Sequence, residues 1–205
     1  MKDQILPLFY LPNISWFIQY LENNTEVIIE KFENFPKQTF RNRTNIYGAN
    51  GKLTLVIPIN HTGNRLYKNT EISYAENWQK QHWKSIKTAY QSSPYFEFYE
   101  DRFAKIYEKK EKFLFDFNLK ALEILIQLLK IDKKFQFSES YKTESSALDL
   151  RQSFSAKKES TETFENYYQT FGEKFGFIQD LSVCDLLFNL GPESLIYLKK
   201  SYNKL

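Results

Sequence analysis

Two short apolar runs constrain this chain most. Gln4-Ile5-Leu6-Pro7-Leu8-Phe9 and Val27-Ile28-Ile29 are each strand-length, and the residues between them repeat at helical spacing through Ile14, Phe17, Ile18 and Leu21. Asn13 suits the N-cap of that helix, over about residues 14–22, and Asn23-Asn24 its end. A strand, a short helix and a second strand in this order predict a right-handed parallel β-α-β crossover. Pro7 has no N–H to donate, so its strand is predicted at a sheet edge or beside a bulge. The predicted class is α/β: a single domain over residues 1–205 whose mixed or mostly parallel sheet starts in that unit, flanked by helices, with a helical C-terminus.

In such units ligands gather beyond the carboxyl ends of the strands. Tyr10 and Asn13 follow the first strand, and the free N–H groups of the helix start would add partial positive charge there. A few residues past the second strand, Lys37, Arg41 and Arg43 stand with Gln38, Asn42, Asn45, Thr39 and Thr44, and no carboxylate interrupts them. This stretch is the predicted site for an anion or a sugar. The candidate ligand contacts are Tyr10, Asn13, Lys37, Arg41, Asn42 and Arg43.

Further along, Asn50-Gly51 signals a hairpin before the strand Leu53-Thr54-Leu55-Val56-Ile57. Asn77 caps a predicted helix over residues 78–90, on which Trp78, His82, Ile86, Ala89 and Tyr90 share one face. His82 therefore points inward or into a cleft. An imidazole titrates near neutral pH, so His82 is the candidate general base, with Tyr90 beside it as a further ligand contact. Asp116 or Asn118 is expected to cap the most apolar helix. Residues 139–162, rich in Ser, Thr, Lys and Glu, are expected to form a mobile polar excursion. Ser182 with Asp185 reads as a capping box, and Gly191-Pro192 as a helix stop and restart.

Composition excludes several classes. The net charge of +3 is spread thinly among 205 residues, with no basic stripe, which disfavours a nucleic-acid partner. Cys184 is the lone cysteine, so there is no disulfide framework, and with two histidines there is no metal-ligand spacing. No run reaches the ~18 apolar residues of a membrane span, and the N-terminus lacks a signal-peptide pattern. The expected location is cytoplasmic.

Four blocks, taken together, resemble the WbqC-like family, named from bacterial O-antigen gene clusters. They are Phe9-Tyr10-Leu11-Pro12 with Trp16-Phe17; Lys37-Gln38-Thr39-Phe40 through Asn42-Arg43 to Ile46; Trp78 through His82 to Tyr90 with Pro94-Tyr95-Phe96; and Asp180-Leu181-Ser182 through Leu186-Leu187-Phe188-Asn189 to Gly191-Pro192. The resemblance implies a role in surface-polysaccharide biosynthesis, with aminoacyl (glycine) transfer from an activated, phosphate-bearing donor as the candidate activity. Lys37, Arg41 and Arg43 would then hold phosphate, Asn42 would orient a hydroxyl, Tyr10 would line the pocket and His82 would deprotonate the acceptor. The alternative is a non-catalytic binder of a nucleotide sugar or of a pathway partner. The chain departs from the family pattern at Phe40, where tryptophan is usual, and at Asn45, often basic. Its first strand carries Leu6-Pro7-Leu8 where many members have a glutamine or histidine before the proline. Residues 153–158 replace a Ser-Gly-rich segment.

Overall fold

A computed structural model describes residues 3–22, 25–61, 63–141, 146–158 and 163–202. Chain order runs β1 (Gln4–Pro7), α1 (Ile14–Tyr20), β2 (Val27–Glu30), β3 (Arg43–Gly48), β4 (Gly51–Val56), α2 (Trp78–Tyr90), α3 (Phe96–Ala104) and α4 (Leu114–Leu128). It continues with β5 (Phe135–Phe137), β6 (Leu148–Asp149), α5 (Gly172–Phe175), α6 (Val183–Leu190) and α7 (Ser194–Tyr202). The main sheet has the order β5-β2-β1-β6 and is parallel throughout. A separate antiparallel hairpin joins β3 to β4.

The parallel β1-α1-β2 unit is present as read, but β1 is not an edge strand. Pro7 is tolerated because β6 pairs only with Gln4 and Ile5, so the ladder on that side has ended before the missing N–H matters. The Pro7 carbonyl is used instead by the Trp16 indole N–H, at 2.8 Å. Trp16, Phe17 and Tyr20 pack α1 into the core beneath the sheet.

The second half of the basic stretch, from Arg43 on, belongs to β3. Thr44, Ile46 and Leu55 face the core, while Arg43, Asn45 and Thr54 line the other side of the hairpin. The Ala49-Asn50 turn returns the chain through Gly51, whose φ of +95° suits glycine alone.

Helix α2 spans the predicted residues, with Asn77 accepting the Lys80 N–H and Trp78, His82, Ile86, Ala89 and Tyr90 buried. Helix α4 starts earlier than expected, after Phe113. Asn118 is therefore no cap; it lies fully buried within the helix and donates to the Arg41 carbonyl and the Tyr67 hydroxyl, both at 2.6 Å.

Part of the expected polar excursion is built into the fold, since β6 and the buried Arg151 belong to it; residues 142–145 and 159–162, like the Asn23-Asn24 helix end, lie outside the described residues. Residues 163–171 form no helix or strand, and their side chains bond to α6 and to residue 178. At the α6–α7 junction Gly191 is obligatory: its φ is +56°, and a Cβ would sit 2.4 Å from the Tyr95 ring.

Candidate functional site

The segments expected to converge do meet. Tyr10 N–H donates to the Phe40 carbonyl at 2.9 Å, and Thr44 Oγ1 donates to the Leu11 carbonyl at 2.9 Å. Most of their polar groups are nevertheless engaged within the protein. Arg41 is 2% exposed and makes two 2.6 Å bonds to Glu33 and a third, at 3.2 Å, to the Arg151 carbonyl. Burial pushes the Glu33 carboxyl up, and Arg41 pulls it only part of the way back. Arg151 in turn pairs with Glu30 at 3.1 Å and Asp149 at 2.6 Å. The strand ends that the topology offers to a ligand are thus filled by an internal ion network. Asn42 is buried, with Nδ2 on the Ile57 carbonyl at 3.0 Å. Lys37 is exposed, and Arg43 is half-buried with no acceptor at Nε among the described residues.

The start of α1 is also occupied. Asn13 makes no cap bond; its Nδ2 donates to Ser15 Oγ and to Asp180 Oδ2 at 2.7 Å. Asp180 is the cap, accepting the Ser15 N–H at 2.8 Å, while the Leu181 carbonyl accepts the Ile14 N–H at 3.0 Å. The donors predicted to attract an anion therefore already hold a carboxylate.

His82 sits in a buried relay. Its Nδ1 is 2.9 Å from the Tyr10 hydroxyl, which is 2.6 Å from the Tyr107 hydroxyl. The Val56 backbone is the group that opposes burial at this imidazole. Val56 is the strand partner of Arg43, so His82 and the basic stretch are neighbours. Burial pushes the imidazole down to about 4, against the Val56 bond, so the ring is neutral at pH 7. Such an imidazole is a weak base toward an amine or hydroxyl. Tyr90 is buried on the same helix, and its hydroxyl accepts the Tyr47 N–H at 3.1 Å.

The space available to a ligand has none of Tyr10, His82, Tyr90 and Tyr107 in its lining. A cavity of about 340 Å³ opens between residues 155–158 and 177–181, with Phe40 and Asn45 from the basic stretch in its lining and Lys52 of β4 beside them. Its cations are Lys52, Lys157 and Lys158, and none of them takes part in an ion pair among the described residues. Ser155 Oγ accepts the N–H groups of Lys157 and Lys158, which shapes the turn carrying both lysines. Asn45 Oδ1 accepts from Thr54, leaving its NH2 group available. The carboxylate in the lining, Asp180, is committed to Asn13 and Ser15. Volume and lining fit a small anionic ligand with an apolar portion against Phe40 and Phe177.

Sequence reasoning passed over Lys52, Lys157, Lys158 and Gln179 as site residues. The signal available was positional: residues 155–158 stand where the resembled family carries its Ser-Gly-rich segment, and Asp180-Leu181-Ser182 is one of the blocks carrying the resemblance. Among the described residues no cluster of His, Cys, Asp and Glu is placed to hold a metal ion, and no helix is long and apolar enough to cross a membrane.

Comparison with known proteins agrees with the resemblance. The WbqC-like protein family matches residues 9–163. An uncharacterized protein of Mycobacterium tuberculosis (strain ATCC 25618 / H37Rv), Rv1507c, is 25% identical, with 97% of each chain covered. No solved structure matches. With three quarters of its length matched, from the first aromatic block through the basic stretch and α2, the chain belongs to the WbqC-like protein family.

Proposed function

We infer that the cavity between residues 155–158 and 177–181 binds a phosphate-bearing small molecule, and that the protein uses such an activated donor for group transfer, of the aminoacyl (glycine) type, in surface-polysaccharide biosynthesis. The observation that carries the reading is the set of three lysines around one cavity with no carboxylate paired to them among the described residues. Ammonium groups act as point charges toward phosphate oxygens. The O-antigen setting of the resembled family supplies the pathway. Arg43, with a guanidinium nitrogen lacking an acceptor, is a further ligand candidate from the original stretch.

One observation favours a second reading, a non-catalytic binder of a nucleotide sugar: His82 is neutral, hydrogen-bonded and weakly basic. A thermal-shift panel of phosphate, ATP, coenzyme A, nucleotide sugars and glycine tests the first step. A ligand at 100 times its dissociation constant adds about 2.7 kcal/mol of stability. A shift with phosphate-bearing compounds that is lost in Lys157→Ala/Lys158→Ala supports the site, and no shift with any of them rejects it. His82→Gln then separates the readings, abolishing turnover in a transferase and sparing affinity in either case.

A further inference from the structure

The cavity wall at Phe177 and Ile178 belongs to no helix or strand, yet it is tied down by one side chain. Gln169 Oε1 accepts the Ile178 N–H at 2.9 Å, and Gln169 Nε2 donates to the Ile178 carbonyl at 2.9 Å. The carboxamide pairs with that residue as a neighbouring strand would. The same Nε2 lies 2.9 Å from Asp185 Oδ2, which also accepts the Tyr167 hydroxyl at 2.5 Å. The Tyr167 ring meets Phe177 edge-on, with centroids 5.2 Å apart. Asp185 is thus the common anchor of both contacts to the wall.

The anchor is chemically unusual. Asp185 is fully buried on α6, and no donor among the described residues reaches its Oδ1 within hydrogen-bond distance. The groups facing it are the Tyr167, Tyr90 and Tyr47 phenols, the adjacent Cys184 thiol and the Gln169 carboxamide, with no cation among them. A buried carboxyl without a counter-charge is costly. A bare helix-cap role does not account for it: Ser182 alone caps α6, through the Cys184 N–H, while the Ser182 N–H is taken by the Asn45 carbonyl, so the reciprocal arm of the predicted capping box is absent.

We propose that Asp185 is a positioning residue for the cavity: through Gln169 and Tyr167 it fixes Ile178 and Phe177, and ligand affinity depends on its carboxylate. This rests on the cavity being the ligand site. Burial pushes the carboxyl up to about 6, opposed by the bonds from Tyr167 and Gln169 and by the nearby Tyr90 hydroxyl. Mild acid therefore neutralises the acceptor that both contacts share, and the wall loosens.

Two readouts test this, one without ligand. In the free protein, Gln169→Ala and Asp185→Asn should each speed amide exchange at Ile178 by about tenfold or more while α4 amides keep their protection. The second readout is affinity for UDP-glucose, a probe whose diphosphate diester holds its charge across the pH range. Wild-type affinity should be flat above about pH 6 and fall below it by up to tenfold per pH unit, whereas Asp185→Asn should bind about tenfold more weakly with a flat profile. Unchanged exchange at Ile178 in both variants overturns the proposal, as does an Asp185→Asn profile that titrates like wild type. Gln169→Ala keeps the charge and removes the clamp, so the exchange result decides even where Asp185→Asn does not fold. Failure of the probe to bind wild type at any pH rejects the cavity reading instead, and exchange at Ile178 still decides what Asp185 holds.

Discussion

A carboxyl and an imidazole, each buried without a counter-charge, give this protein opposing responses to acid. Asp185 is pushed up to about 6, so the stability it contributes is fully present below the ordinary aspartate range and is lost as pH rises through about 6. His82 is pushed down to about 4, so its contribution is present above 6.5 and is lost as pH falls through about 4. Each swing is of the order of 3 kcal/mol, and between pH 4 and 6 they run in opposite directions. Urea unfolding of Asp185→Asn should therefore show stability falling relative to wild type on acidification from pH 7 to 4, and His82→Gln should show it rising. Identical profiles for all three proteins would mean that neither group is held as described. The Glu33–Arg41 pair makes a different prediction. Both partners are buried, so Glu33→Ala leaves an unpaired guanidinium in the interior and should cost about 3–5 kcal/mol, measured by the same unfolding experiment.

At the scale of elements, the first helix shows why contact partners were harder to read than periodicity. Ile14, Phe17 and Ile18 announced α1 correctly, because burial of one face at a step of 3.6 is a local property. What satisfies its N-terminus is not local: Asp180, more than 160 residues away, does so with φ of +54°. Asp180→Ala should destabilise the protein by about 1–2 kcal/mol, as loss of a helix cap does. A cost near zero in thermal or urea unfolding would remove that role. The same reasoning explains the basic stretch. Lys37, Arg41 and Arg43 look alike in sequence, but the fold leaves Lys37 in solvent, pairs Arg41 with Glu33 and leaves a nitrogen of Arg43 without an acceptor. Which cation is committed depends on Glu33 and on Arg151, and no spacing rule links either to Arg41. His82 was legible as an inward-facing residue from its helical face. Its depressed basicity was not, since that comes from Tyr10, Tyr107 and the strands packed over it.

For the whole molecule, the parallel β1-α1-β2 unit, the hairpin and the C-terminal helices follow from short apolar runs and turn residues, and the family assignment agrees with them. The cavity does not follow from any one of them. It forms where Phe40 and Asn45, the hairpin lysine Lys52, the Ser155–Lys158 turn and the residues before α6 come together. The wall at residues 177 and 178 was hidden in an irregular segment held by Gln169 and Asp185. The most direct test of the account is a calorimetric titration of UDP-glucose into wild type and into Lys157→Ala/Lys158→Ala, after confirming that the two proteins melt together. Each lost ammonium–phosphate contact should remove about 1.5 kcal/mol or more, so the variant is predicted to bind at least about 100-fold more weakly. Equal affinity in the two proteins, or no binding to wild type, would contradict the claim that this cavity is the ligand site.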